Sequence, residues 1–399
     1  QETGSLAPSP AASGDPGKGP AADPTGPAPP ERSGRCGARR VARRLTGMTT
    51  LHGEYKVIGG KLVAADLSLA DGRIATASIN GDFFLEPDEA LEDLNAAVTG
   101  LSADAEHRVI REAVERGLRP EAELFGVDAF AVASAVRRAL GKATTWGDHE
   151  WEVIGPEPMP IALTVALDEV LTRQVAEGRR KPTMRLWQWN EPAVVIGAFQ
   201  SLANEVDPEG ARRHGINVVR RISGGGAMFM EADNCVTYSM HVPSSLVDGL
   251  ETAETYPFLD EWTMDALARL GVHAFYQPLN DIATDQGKIG GAAQKRVGTA
   301  GLLHHVTMSY DIDADKMLEV LRIGREKLRG KGVTSAKKRV DPLRRQTGVS
   351  RAEIWETMMT TFEERYGARR VELDEATREE AEQLARTKFA TPEWTARVP

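Results

Sequence analysis

Arg220, Arg221, Ile222, Ser223, Gly224, Gly225, Gly226, Ala227, Met228 and Phe229 stand in succession, and Lys288-Ile289-Gly290-Gly291-Ala292-Ala293-Gln294 follows further along the chain. Glycines without a Cβ let the backbone come within contact distance of a ligand and expose its N–H groups to an anion. The arginines and the lysine add fixed positive charge. A carboxylate made to react with ATP needs these parts: a wall free of Cβ atoms along the acyl chain, donors for phosphate, and a cation at the carbonyl and phosphate oxygens. Lys288 is the candidate cation, and Gly224, Gly225 and Gly226 are the candidate wall and donors. Ala227, Phe229 and Gly290 complete the contact set.

Adjacent strand residues face opposite sides, so only one of the two arginines reaches the ligand. Arg221 shares a face with Ser223, which leaves Arg220 for a structural ion pair. Asn280 and Asp281 precede the lysine and either hold adenine, ribose or magnesium, or form a simple turn. Asn234 either contacts nucleotide or caps the glycine-loop segment. His304 and His305 are adjacent but lack a nearby acidic or cysteine partner in sequence, and read as packed strand histidines rather than metal ligands. Trp187 and Trp189 alternate with Leu186 in the manner of core residues.

The elements that must position these residues are legible. Pro160 to Ala176 reads as a long helix, Leu186 to Trp189 and Ala193 to Ile196 as strands, and Asp207 to Arg213 as a short helix. Val218 to Ile222 is a strand leading into the glycines, Val236 to His241 returns as another, and Tyr256 to Leu270 is helical. His273 to Tyr276, Asp281 to Ala283, Lys288 to Ala293 and His305 to Tyr310 alternate as in a mixed or antiparallel sheet. Helices at Ala314 to Leu321 and Arg351 to Tyr366 follow. Upstream, Tyr55 to Ile58, Lys61 to Leu69 and Arg73 to Ile79 are β-like, with turns at Gly59-Gly60 and Asp71-Gly72. Asp88 to Thr99, Ala105 to Arg116 and Val127 to Leu140 then read as helices. The fold class is α+β, with residues 51–145 a small accessory domain in a scaffold or lid role, 151–370 a catalytic domain, and 371–399 a C-terminal helix and tail.

Among 399 residues, 49 basic against 58 acidic side chains give −9, so no global attraction to nucleic acid or anionic membrane is expected. Cys36 and Cys235 are the only cysteines, which argues against a disulfide framework or thiolate metal site and for a reducing, cytoplasmic setting. No apolar run reaches membrane-spanning length. Residues 1–47, built from Pro, Ala, Gly and Ser, read as a disordered tail whose Arg35, Arg39, Arg40, Arg43 and Arg44 are either solvated charge, the blander reading, or a nucleic-acid or targeting arm.

Leu167-Asp168-Glu169, Leu186-Trp187-Gln188-Trp189, Val194-Val195-Ile196-Gly197, Phe199-Gln200, the Arg220 to Phe229 motif, Asn280-Asp281-Ile282, the Lys288 to Gln294 segment and His304-His305 together resemble the lipoate–protein ligase family, over about residues 151 to 345. The segment 51 to 116 is similar to that family's small accessory domain, which follows the catalytic domain in the best-known two-domain members and precedes it here. The resemblance implies that lipoate or octanoate attacks the α-phosphate of ATP with Mg²⁺, giving acyl-AMP, and that the acyl group then passes to a lysine on lipoyl domains of 2-oxoacid dehydrogenase complexes or glycine-cleavage H protein. Lys288 would bridge the acyl carbonyl and the phosphate, and Asp281 is the candidate to meet the magnesium of the ATP. Lys337, Lys338 and Arg339 would steer an acidic acceptor, or form a solvated loop.

Met230, Glu231 and Asp233 depart from the histidine, aspartate and glycine common in the family, which makes the pocket less polar at Met230. Relatives that transfer octanoyl from acyl carrier protein form an alternative; they rely on a cysteine that would fall near His273 to Pro278, where this chain has no thiol. Cys235 is the remaining nucleophile in the structured part, and it reads as a packed small residue. A further alternative is a non-catalytic protein that binds lipoyl compounds. Biotin ligation expects an arginine-rich glycine loop that is not present.

Overall fold

The computed structural model describes residues 50–57, 60–141, 143–277, 279–322 and 342–399. The expectations for the N-terminal tail and for Lys337, Lys338 and Arg339 lie outside them. The chain is α+β around one mixed eight-stranded sheet, in the order Phe275–Gln277, Asp281–Thr284, Gly287–Val297, Gly301–Ser309, Cys235–Pro243, Thr183–Leu186, Glu152–Ile154, Arg369–Val371. Neighbours are antiparallel from the first strand through Thr183–Leu186 and parallel for the last two pairings. Helices Thr252–Arg269 and Arg351–Tyr366 cover one face through Leu259, Trp262, Ile354 and Phe362, packed against Val236, Tyr238 and Val306. Helix Ile161–Ala176 covers the other and is buried on nearly every side. No helix among the described residues is long and apolar enough to cross a membrane.

A three-stranded sheet stands beside this core. Ala193–Ile196 is its middle strand, parallel to Asn217–Arg220 and antiparallel to Met228–Met230. The glycine motif is the crossover between its two outer strands. Leu186 and Trp189, expected on one strand, belong to different sheets, with Gln188–Trp189 pairing Pro158–Met159. Residues 371–399 are more than a helix and tail: Leu373, Ala381, Ala385 and Phe389 complete the core against helix Ile161–Ala176.

Residues 50–141 have their own core under a three-stranded antiparallel sheet, Thr50–Lys56, Leu62–Ala70 and Arg73–Gly81. Asp71 and Gly72 both take positive φ, 53° and 71°, as a type I′ hairpin turn requires. Buried Arg138 ties this unit to the rest, donating to the carbonyls of Thr144, Leu246 and Asp248 at 2.7, 3.0 and 3.2 Å. Tyr55 adds a 3.0 Å bond to Glu254. The attachment lies just beyond Pro243, the far end of the strand that begins at Cys235, and no residue of 50–141 lines the cavity at the Cys235 end.

Candidate active site

The glycine motif and the lysine segment meet across one cavity of about 250 Å³, lined by Arg221, Gly225, Gly226, Ala227, Met228, Phe229, Cys235, Asn280, Asp281, Lys288 to Ala293, His305, Thr307 and Ser309, among others. A larger cavity of about 320 Å³, with Glu169, Lys295, Arg296, Lys388, Trp394 and Arg397 in its wall, contains neither Lys288 nor a motif glycine. Of the expected contact residues, Arg221, Gly225, Gly226, Ala227, Phe229, Asn280, Asp281, Lys288 and Gly290 line the first cavity, whereas Ser223, Gly224 and Asn234 do not.

Lys288 sits on the strand Gly287–Val297, and its Nζ lies 2.7 Å from Asp281 Oδ1 on the neighbouring strand. The hairpin between them is pinned by Asn280, whose carbonyl accepts from Ala292 N at 2.8 Å and whose side chain donates back to the Ala292 carbonyl at 2.7 Å. Lys288 is 45% exposed and Asp281 37%, so the pair contributes under ~1 kcal/mol and exchanges readily for ligand oxygens. Gly290 has a packing reason to be glycine: a Cβ there would stand 2.5 Å from the Thr307 carbonyl.

The glycine loop is held from inside by Arg221. The guanidinium is buried and donates to Ser223 Oγ at 2.9 Å and to the carbonyls of Val195, Gly224 and Gly226 at 3.1, 2.6 and 2.9 Å. Burial pushes it down to about 10, opposed by the charge of Asp168. Gly225 has φ +95° and would place a Cβ 2.9 Å from the Arg221 guanidinium, and a Cβ at Gly197 would strike the Gly225 carbonyl at 2.2 Å. The loop therefore rests on Gly197 below and Arg221 within.

Arg220 points the other way, as period two requires, but its partners are not a carboxylate. It donates to the carbonyls of Gly197, Gln200, Thr395 and Val398 at 2.9, 2.7, 2.7 and 3.1 Å. The expected ion pair is replaced by a clamp between the loop's support and the C-terminal segment. Asn234 caps its own turn: its Oδ1 accepts from Glu231 N at 2.9 Å and its Nδ2 donates to the Phe229 carbonyl at 3.3 Å. Met230 is buried in the core and does not line the cavity, so the reading that it makes the pocket less polar is overturned; Met228 and Phe229 are the lining residues. Glu231 pairs with Lys316.

His304 and His305 do have acidic partners, distant in sequence. His304 Nε2 lies 2.7 Å from Asp260 Oδ1 on one face of the strand, and His305 Nδ1 lies 2.8 Å from Asp168 Oδ2 on the other. Among the described residues no group of three His, Cys, Asp or Glu side chains is arranged to hold a metal. Asp168 also accepts from Ser239 Oγ at 2.7 Å and from Arg185 at 3.2 Å. Burial would raise its carboxyl, but the His305 hydrogen bond and the Arg185 charge outweigh this and hold it below the usual range. Burial pushes His305 down, so it is neutral.

The lipoyl protein ligase A/B catalytic-domain model matches residues 160–363. The chain belongs to that family. The matched span begins with the helix that carries Asp168 and contains the whole cavity. Octanoyltransferase LipM of Halalkalibacterium halodurans is 26% identical over 275 residues, 62% of this chain and 99% of that one. Lipoate–protein ligase 1 of Staphylococcus aureus is 29% identical over 243 residues, 58% of this chain and 69% of its own length. A bipartite lipoate protein ligase of Thermoplasma acidophilum, solved in a study with its E2 lipoyl domain, superposes with a TM-score of 0.56 at 27% identity, covering 63% of this chain and 97% of that one. A lipoate–protein ligase A bound with ATP shares the fold, with a TM-score of 0.54 at 24% identity.

Within this lipoyl ligase fold, Cys235 opens the strand Cys235–Pro243 at the cavity wall. Its thiol is buried, its nearest polar contact is the Phe229 carbonyl at 3.7 Å, and burial pushes it up to about 12. It is a packed, protonated thiol. Phe275–Gln277, which carries no thiol, is an edge strand beside Asp281–Thr284.

Proposed function

We propose that this protein ligates lipoate or octanoate to a lysine of lipoyl domains through an acyl-AMP intermediate formed from ATP. The observation that carries this reading is the opposition of Lys288 to the glycine loop across one cavity, whose thiol, Cys235, is buried and pushed up to about 12. The acyl chain lies along Gly225, Gly226 and Ala293, where small or absent side chains leave room. Lys288 leaves Asp281 and bridges the acyl carbonyl and the α-phosphate, stabilising charge as phosphorus is attacked and again as the amide forms. Asp281, with the side-chain oxygen of Asn280, would hold Mg²⁺ only together with substrate phosphates. That fits a cation which favours one or two carboxylates and keeps phosphate ligands, and whose charge eases pyrophosphate departure. The acceptors would be lipoyl domains of 2-oxoacid dehydrogenase complexes or glycine-cleavage H protein, in keeping with the lipoyl domain studied alongside the Thermoplasma acidophilum relative.

The second reading, octanoyl transfer from acyl carrier protein, is favoured by the LipM relatives. Against it stands the state of Cys235, the one cysteine among the described residues, which would have to ionise and be reached to form an acyl-cysteine intermediate. The test is the mass of an apo lipoyl domain incubated with this protein. Octanoate or lipoate with ATP and Mg²⁺ should add one acyl group. A shift seen only with octanoyl-carrier protein would replace ligation by transfer.

A further inference from the structure

Arg221 brings a positive charge into the protein where no carboxylate touches it among the described residues; the nearest negative charge is reached through a chain of three hydrogen bonds. Arg221 Nε lies 2.9 Å from Ser223 Oγ, Ser223 Oγ lies 2.7 Å from His305 Nε2, and His305 Nδ1 lies 2.8 Å from Asp168 Oδ2. A guanidinium only donates, so Ser223 Oγ accepts from it; the ionised Asp168 also only accepts and takes the one hydrogen of a neutral His305 from Nδ1, so Nε2 is bare and Ser223 donates its own hydrogen to it. The hydrogen of the neutral imidazole is then on Nδ1, facing Asp168. Every donor in the chain points toward the carboxylate, and the other Asp168 oxygen is filled by Ser239 and Arg185.

At its near end the chain acts on the glycine loop. Arg221 takes the carbonyls of Gly224 and Gly226. In a planar trans peptide the N–H points opposite to the C=O, so the N–H groups of Gly225 and Ala227 are turned away from the guanidinium. Both residues line the cavity, and neither N–H has an acceptor among the described residues. Two outward N–H groups, one residue apart on a loop with a positive φ, form an anion-binding pair.

We propose that Asp168, His305, Ser223 and Arg221 are a positioning relay that fixes the glycine loop, so that the peptide N–H groups of Gly225 and Ala227 bind the acyl phosphate. This rests on the ligation reading for the identity of the anion, but not for the existence of the relay. Arg221 is then a positioning residue that acts through the backbone, and the donors that touch the ligand are peptide groups.

Two measurements test it. Without substrate, ¹⁵N resonances of His305 at neutral pH should show the Nδ1–H tautomer with a bare Nε2; an Nε2–H tautomer or an imidazolium would overturn the relay. With an octanoyl-sulfamoyl-adenosine mimic of the adenylate, the Gly225 and Ala227 amides should shift downfield in the wild type. Both shifts should vanish in Arg221→Lys, which keeps the charge and loses the fork that holds two carbonyls. In the same variant and in Ser223→Ala, kcat for octanoate-dependent pyrophosphate release should fall ~100-fold, the scale of one lost oxyanion donor, with KM for ATP changed by under about threefold. Amides unmoved by the mimic in the wild type, or variants with unreduced kcat, would overturn the proposal. If the wild type releases no pyrophosphate and binds no mimic, the ligation reading fails and the tautomer alone decides the relay.

Discussion

Gly291 lies directly against the Lys288–Asp281 pair: a Cβ added there would stand 3.4 Å from Lys288 Nζ and 3.4 Å from Asp281 Oδ1. The glycine gives the ammonium a floor without atoms, which lets it swing from Asp281 toward a ligand. Gly291→Val should therefore lower kcat for acyl-adenylate formation by at least ~10-fold, since small misplacements of a catalytic cation are costly. Gly291→Ala should do so less, with both variants melting near the wild type. Full activity in Gly291→Val would show that Lys288 needs no such clearance.

Arg220 should matter for stability rather than for chemistry. It serves four or more carbonyls from two segments far apart in sequence, and Trp394 Nε1 donates to its own carbonyl at 2.8 Å. Arg220→Met leaves those carbonyls buried without a donor and should cost about 3 kcal/mol. Urea unfolding measures this; a loss below ~1 kcal/mol would mean that the C-terminal segment is held by its apolar contacts alone.

Acid should destabilise the protein well above the carboxylate range. His241 is buried, bonded through Nδ1 to Thr172 Oγ1 at 2.9 Å, and burial pushes it down to about 3. As pH falls through about 6.5 the unfolded chain takes up a proton at this residue and the folded chain does not, until pH reaches about 3. The unfolded state binds more protons throughout that window, so stability falls on acidification, by up to ~1.4 kcal/mol per pH unit for this histidine. His305, also pushed down by burial, acts in the same direction. Unfolding free energies at pH 7.5 and 5.0 should differ less in His241→Gln than in the wild type. An unchanged difference would remove His241 from the account.

Cys235→Ala should retain ligation within about threefold and lose ~1 kcal/mol of stability from the small void, and the native thiol should resist iodoacetamide. Rapid alkylation coupled to inactivation would revive the transfer reading.

Much of the site was legible because its parts are local in sequence. Gly224 to Gly226, Lys288 and the Asn280-Asp281 hairpin announce close backbone approach and charge within a few residues, and period two separated Arg220 from Arg221 correctly. Helices Ile161–Ala176 and Arg351–Tyr366 start and stop within a residue of their sequence signals; the second has Ser350 and Glu353 as a capping box. What escaped was long-range. The pairing of His305 with Asp168 spans 137 positions, and nothing local in the helix, where Asp168 stands beside Glu169, names the partner that a buried charge must find. Arg220's carbonyls and the docking of residues 371–399 likewise come from tertiary contacts that leave no local pattern. Met230 is fully buried against the core around helix Ile161–Ala176, a tertiary contact that the residues beside it in sequence do not announce.

In the proposed reaction Lys288 is the cation of an acyl-adenylate-forming site. Pyrophosphate release from ATP, dependent on octanoate or lipoate and measured without any acceptor protein, tests it in one assay. The wild type should release pyrophosphate, and Lys288→Ala, folded by circular dichroism, should release it at least ~100-fold more slowly. Equal rates in the two proteins, or no acid-dependent release by the wild type, would show that Lys288 does not serve acyl-adenylate formation.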